Sequence, residues 1–549
     1  MRLLLRAAVF LFGSLLLIGG VLAAVLVGPD DTLALEADDA AGPVVTHPRL
    51  TAFTDVTLVA EAEAPGGVFV GAGHRVDVDD LVSDVARTEI TGVRSNTLLT
   101  RRAEGSDEPL PDPVALDLWT ESTHGDGPQL LALPLTGDPV AVVATPLDPE
   151  AAMTLSLGAR VDGLFAGSLA AATSGLALLV VLLLLRRRRR RRPAGPGAPA
   201  EQHSPGPDRP VVSAGRASPP GTTLRVRTSA RPRPTLRLVA PLLGLGLLAS
   251  GCTLPAAVSV GTAERPALTP EQLPDLMADL DRRLARANKK VRPPKYDDSG
   301  FRKVFTGPHL RVAQRNVASA AIEKHGWKGS TDPTVPGDRL FAPAFETYPM
   351  WAALDLLPPD DTTDDVKGAK ERRSLLLVTR ESVVEPWMVA GVGAFADLPE
   401  PTEAPGPVPT RVIRAAQLAA DHLDGWWRTG QVKGIRVDRE TKQTRAAYLK
   451  TSPADKGALS LEARPYLDPN QRLRVVETAD GYLAIAISDL RQTTTPPLGI
   501  TLTWNDGYAD LNGTDGDAVY QTFVVTAAIH LPTDGRPRLL GTMVGPRAS

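Results

Sequence analysis

At 549 residues the chain is long enough for several folded units, and its formal charge of −3 conceals a strong segregation along its length. Residues 28–163 carry 7 Arg against 24 Asp and Glu, whereas residues 186–237 carry 14 Arg against 2 acids; such asymmetry points to opposite sides of a membrane and away from nucleic acid. The single cysteine, Cys252, excludes an intramolecular disulfide and leaves a cysteine-based zinc site without its ligands.

Residues 1–27 contain the first apolar segment, AAVFLFGSLLLIGGVLAAVLV, Ala7–Val27, preceded by Arg2 and Arg6. As a helix it would rise about 32 Å, enough for the hydrocarbon core of a bilayer. It reads as an uncleaved anchor, with cleavage near Leu22–Ala24 as the alternative. Residues 28–163 then hold short apolar runs at Val56–Ala60, Val68–Val70, Leu130–Leu135 and Val140–Ala144, separated by Gly, Pro and Asp clusters. That pattern predicts an antiparallel, β-rich domain. One helical insert is expected over VDVDDLVSDVARTEI, where Val78, Leu81, Val82, Val85 and Ile90 share a face. Asp77, Asp79 and Asp80 within it are too closely spaced for a calcium loop and lack a completing Glu. Acids in the first turn of a helix, favoured by its dipole, explain them better.

The second apolar segment, Leu164–Leu185, is followed at once by Arg186, Arg187, Arg188, Arg189, Arg190, Arg191 and Arg192. Guanidinium groups flush against a spanning helix read as a stop-transfer block held on the cytoplasmic side, against anionic headgroups. Segment 28–163 is therefore expected outside, and residues 186–237 form a basic, Pro/Gly-rich cytoplasmic linker unable to build a core. The stretches GVFVGAGHRVDVDDLVSDVARTEITGV and LDLWTESTHGDGPQLLALPLTGDPVAVVATPLD, the latter leading into the second span, resemble a family of actinobacterial membrane proteins. Its members carry an outer domain between two helices and have no assigned biochemical role. The resemblance covers residues 1–190 and brings no catalytic residues with it.

The third apolar segment is residues 238–260, LVAPLLGLGLLASGCTLPAAVSV, preceded by Arg225, Arg227, Arg231, Arg233 and Arg237. Its uninterrupted part, Leu238–Ala249, has the length of a signal-peptide core and is short for a span. Ala249, Ser250, Gly251 and Cys252 read as a lipobox, small residues ahead of a thiol that takes a diacylglyceryl group. With a second acyl chain such a site anchors a domain stably, where one chain is marginal. The alternative is an unmodified third helix extending through Val260. Either way, residues 253–549 are expected outside the membrane.

Beyond it, Thr269-Pro270-Glu271-Gln272 forms a capping box ahead of an apolar stripe of Leu273, Leu276, Met277, Leu280 and Leu284, with Pro274 delaying the regular helix by about a turn. A second such helix starts near Thr410 with Ile413, Ala416, Ala420, Leu423 and Trp427 on one face. Strand-like runs follow each helix: Ser374–Thr379 and Trp387–Phe395, then Arg472–Glu477, Tyr482–Ser488, Ile500–Trp504 and Gln521–His530. The Pro-rich PEPTEAPGPVPT, Pro399–Thr410, divides two units, residues 261–398 and 410–549. By element order each resembles an NTF2/cystatin-like cone, and residues 238–549 resemble actinobacterial lipoproteins of unknown function. The expected fold class is thus a membrane-anchored multidomain protein with transmembrane helices, an outer β-rich domain and a C-terminal α+β region.

Signals for chemistry are sparse. His309, His325, His422 and His530 lack any metal-binding spacing. Asp421 and Asp424 stand where they would orient His422 as a base, although a surface histidine on a helix is the plainer reading. No Gly-x-Ser-x-Gly elbow or Ser-x-x-Lys motif is present. WNDGYADLNGTDGD, Trp504–Asp517, departs from the calcium-loop pattern and reads as a hairpin turn. Trp426, Trp427 and Trp504, with His422, are either a ligand pocket or core. These residues favour a non-enzymatic envelope protein with the lipid bilayer and an envelope protein or small ligand as partners, and with no cofactor and no nucleic acid. The alternatives are a hydrolase-like enzyme using a pocket in residues 263–549, and a fusion of a membrane protein with a separate lipoprotein.

Overall fold

The computed structural model describes residues 2–40, 42–94, 97–190, 256–257, 262–324, 336–356, 373–395, 397–403, 405–450, 458–466, 468–504 and 507–547. They form a multidomain α+β protein: two long apolar helices, a β-rich domain between them, and a larger C-terminal half.

Helix α1 (Arg2–Val27) leads directly into β1 (Thr32–Ala40), the edge of a first antiparallel sheet. There β1 pairs with β10 (Met153–Arg160), β10 with β3 (Phe53–Glu63), and β8 (Gln129–Thr136) with the other edge of β3. A second sheet runs β6 (Thr97–Ala103), β5 (Arg87–Arg94), β2 (Val44–Thr46), β9 (Val140–Pro146), β4 (Val68–His74), β7 (Trp119–Gly125), with β2 and β5 parallel. Strand alternation sorts the side chains between two cores. Val142 and Ala144 face the first sheet's Leu131, Leu133, Leu155 and Leu157. Ala141 and Val143 point the other way, against Val78, Leu81 and Val82 of α2 (Arg75–Val82). The helix expected over residues 76–90 stops at Val82, because Arg87–Arg94 pairs with β2 and β6 and sends Ile90 into the inter-sheet core. Sheet pairing here overrides the local helical period.

After β10 the chain turns into α3 (Leu164–Arg190). The carboxylate of Asp31 accepts the N–H groups of Gly163 at 3.0 Å and Phe165 at 2.6 Å, so it caps α3 from the end of α1. Those donors hold the Asp31 carboxyl below its ordinary range. Residues Arg6–Val27 and Leu164–Arg187 are long and apolar enough to cross a membrane. The two helices approach through missing side chains. A Cβ on Gly20 would meet the Ser168 carbonyl oxygen and the Ala172 nitrogen at 2.6 Å, and one on Gly175 the Leu17 nitrogen at 2.5 Å. Small residues at these positions let the backbones touch.

The chain is next described at β11 (Ala256–Ala257), which pairs with Phe53 and Thr54. It takes up the edge of β3 that β10 vacates after Arg160, opposite Thr57. This corrects the expectation of a third helix through Val260, since Ala256 and Ala257 are extended backbone in the first sheet. A short strand β12 (Arg265–Pro266) follows. The Gln272 side chain then accepts the Thr269 N–H at 3.1 Å, and a single 3-10 turn precedes α4 (Leu273–Lys290), as the capping box and Pro274 imply.

The C-terminal half has four layers. Helices α4 and α5 (Gly307–Glu323) cover one face of an antiparallel sheet of β13 (Pro336–Phe341), β15 (Met350–Leu356), β16 (Arg373–Arg380) and β17 (Met388–Phe395); the short β14 (Ala344–Phe345) pairs with β12. Helix α6 (Thr410–Thr429), ended by Gly430 at φ +75, covers a second sheet. In it β20 (Gly481–Thr495) pairs with β18 (Ala458–Pro465) and β19 (Leu473–Thr478), and β22 (Ala518–Pro532) with β20, β21 (Gly513–Asp515) and β23 (Arg538–Arg547). A polar helix, α7 (Arg439–Lys450), flanks it. The two sheets pack face to face through Leu375, Leu377 and Phe395 against Leu483, Ile485 and Ile487. Burial on both faces explains the unbroken apolar runs in β16 and β20. Residues 500–504, expected as a strand, are irregular; the Leu502 N–H reaches the Asp517 carbonyl at 3.2 Å and the Thr501 hydroxyl its carboxylate at 2.9 Å. The expected turn lies between β21 and β22, with Gly516 at φ +59.

Candidate functional site at the junction of the two halves

The sequence-predicted residues do not converge on one site. Ala249, Ser250, Gly251, Cys252, Arg191, Arg192 and His325 lie outside the described residues, and Arg186 to Arg190 continue α3. Trp426 and Trp427 are buried between α6 and its sheet, ring centroids 5.2 Å apart, and fill that space instead of lining it. Trp504 sits elsewhere, its Nε1–H donating to the Gly513 carbonyl at 3.1 Å. The pocket drawn from these residues is therefore replaced by core and a pinned loop. His422 is half-buried against Gly434. Asp421 receives Arg472 at 2.5 Å, and the buried Asp424 accepts the Ser488 hydroxyl at 2.6 Å, so neither carboxylate orients the imidazole. His309 lies edge-on to Phe305, and His530 Nε2 is 3.0 Å from Asp480. Among the described residues no group of three His, Cys, Asp or Glu is arranged to hold a metal ion.

The acids of α2 do converge, on the C-terminal half. Strand β4 delivers His74, whose Nδ1 accepts the Val76 N–H at 3.3 Å and caps the helix. Asp77, only 1% exposed, accepts the Tyr348 hydroxyl at 2.8 Å and the guanidinium of Arg265. Burial, and then the negative charge of Asp77, push the Tyr348 phenol upward, so it remains a hydrogen-bond donor. One turn on, Asp80 Oδ2 accepts both the Ser382 hydroxyl at 2.9 Å and the Val383 N–H at 2.8 Å.

Residues 381–387 between β16 and β17 form the matching surface. Arg380 folds back on this loop, donating to the carbonyls of Val383 and of Glu385, the latter at 2.8 Å, and reaches Asp117 at 3.4 Å. These bonds tie the loop to Arg380, and it presents Val383, 1% exposed, to Val45, Val78, Leu81 and Val143. Full burial of such a side chain contributes about 1.5–3 kcal/mol. Val76 in turn joins the core formed by α4 and α5. Here a buried apolar knob is ringed by satisfied charge-assisted bonds, the make-up of a specific protein–protein contact.

Asp77 and Asp80 stand out in the sequence but their partners do not, since these lie 188 to 303 residues further along the chain. The unusual signal was acids on positions whose neighbours are apolar. Asp79, by contrast, pairs locally with Arg75 at 2.6 Å and stays half-exposed. No family model matches this chain, and no curated protein or solved structure matches it either.

Proposed function

We propose that the chain is a membrane-held binding protein of the cell envelope, non-enzymatic, in which the N-terminal β domain carries the C-terminal half as a fixed module. The observation that carries this reading is the contact of α2 with residues 380–385, where Asp77, Asp80 and Val383 are committed to holding the halves together. Strand β11 supports the same arrangement. It joins the first sheet at the start of β3, at the same end of the sheet as Thr32 and Arg160, so Ala256 and Ala257 are gathered in near the two apolar helices. In this reading the helices span the membrane, residues 186–237 are cytoplasmic, Cys252 is lipidated, and both halves stand outside. The close helix pair makes α1 a structural partner of α3 and argues for an anchor that is retained. Helix-then-sheet order in both C-terminal units supports the likeness to NTF2/cystatin-like cones.

Sidedness is tested in cells by a membrane-impermeant maleimide, on chains carrying Cys252→Ala and one new cysteine each. Asp126→Cys and Asp534→Cys should label in intact cells and Glu201→Cys only after lysis; labelling of Glu201→Cys in intact cells contradicts the topology. Wild-type chain should incorporate a labelled fatty acid that Cys252→Ala does not.

A further inference from the structure

The free edge of β23 borders the cavity that offers the C-terminal half a second contact. Residues 435–438 begin to extend the second sheet as a parallel strand. The Arg436 N–H donates to Pro537 O at 2.8 Å, and the Leu539 N–H to Arg436 O at 2.9 Å. The pairing then ends, because Asp438 caps α7 by accepting the Thr441 N–H at 2.8 Å and its hydroxyl at 2.5 Å, and the chain leaves the sheet. Leu540 is a bulge with no partner in β22, and from Gly541 onward β23 pairs with β22 on one side only, among the described residues. A cavity of about 490 Å³ lies along this stretch, between β23, the first turns of α7 and the end of β17. That volume is in the range recognition pockets occupy, about 300–1,000 Å³.

Its charge is specific. Arg436 and Arg538 line the cavity and form no ion pair with any described residue. The acids beside them are engaged: Asp438 by Thr441, while Asp397 and Glu440 each have an interaction of their own. Phe395 and Met543 supply apolar floor and rim. An unpaired strand edge satisfies its backbone groups by accepting another strand, and side-chain pockets beside it choose the sequence.

We propose that this edge binds an extended acidic peptide segment of a partner protein, which adds about four residues beside residues 540–543 and sets carboxylates against Arg436 and Arg538. The span follows from pairing one peptide residue with each of these strand residues. This site lies apart from the α2 contact and does not depend on it.

The test uses the full chain in detergent micelles and two probes, acetyl-Val-Glu-Val-Glu-Val-amide and its Lys-for-Glu counterpart. Hydrogen exchange should slow at the amides of residues 541–543 with the Glu peptide. The Lys peptide should bind at least tenfold more weakly, a comparison that needs no variant. Arg436→Glu with Arg538→Glu should weaken the Glu peptide at least tenfold while leaving the unfolding midpoint unchanged. Equal binding of the two peptides, or binding that is unaffected by the double variant, overturns the proposal. So does the absence of slowed exchange at residues 541–543. Slowed exchange there without peptide, rising with protein concentration, also overturns it and identifies a second copy as the occupant.

Discussion

Asp424 is a carboxylate in the wrong medium. Burial beneath α6 raises its pKa from 3.8 to about 6, against the Ser488 hydroxyl that favours the ionised form. The folded chain therefore binds more protons than the unfolded chain between those values, and stability falls as pH rises through them. Asp424→Asn, which keeps an acceptor for Ser488, should raise stability at pH 7 by up to about 3 kcal/mol, at about 1.4 kcal/mol per pKa unit. Unfolding midpoints at pH 7 and below pH 4 check this; the gain should vanish in acid. His74 behaves oppositely to Asp424. Burial lowers its pKa from 6.5, so its contribution is whole above that value and is lost as pH falls through it and below. His74→Asn retains an N-cap acceptor without the titration and, in an Asp424→Asn background that removes the opposing slope, should flatten the unfolding midpoint between pH 5 and 7. A slope equal to that of Asp424→Asn alone would assign the acid sensitivity elsewhere.

At the scale of elements, α1 and α3 were the most legible parts, since length and apolarity alone specify them, and Arg186 to Arg190 mark the far end of the second. Their pairing was not legible, because Gly20 and Gly19 look alike in the sequence. In the structure a Cβ on Gly20 strikes the backbone of α3 while one on Gly19 meets nothing within 4 Å. Gly20→Leu should therefore lower the unfolding midpoint in micelles and Gly19→Leu should not; equal effects would contradict the close pairing. Helices α4 and α6 were readable from their stripes and caps. Helix α5 was not, since Ala313, Val317 and Ala320 make a thin stripe interrupted by the buried Arg315. Helix α7 buries only Thr441 and has no stripe at all. On the docking loop, Val383→Asp would leave a buried carboxylate with no cation, a defect that typically costs about 3–5 kcal/mol. It should separate the halves without unfolding either; full loss of both cores' cooperative unfolding would show that the loop matters to folding instead.

At the scale of the molecule, composition divided the chain into its acidic, basic and C-terminal parts, but no local pattern announces that two parts separated by the linker meet. The meeting depends on Tyr348, Arg265, Ser382 and Val383 arriving together at α2, and none of these has a neighbour in sequence that hints at it. The same holds for the free edge of β23, which exists only because α7 peels off at Asp438. The central claim, that the halves form one docked body, is tested most directly by cutting the chain between them, beyond the lipid-bearing segment and β11. A protease site placed within residues 258–261 of the full chain, followed by cleavage in micelles and capture through an N-terminal tag, reads out retention of the C-terminal half. Retention should be near complete for wild type and lost with Val383→Asp or with Asp77→Ala and Asp80→Ala together. Release of the wild-type C-terminal half on cleavage would contradict the account.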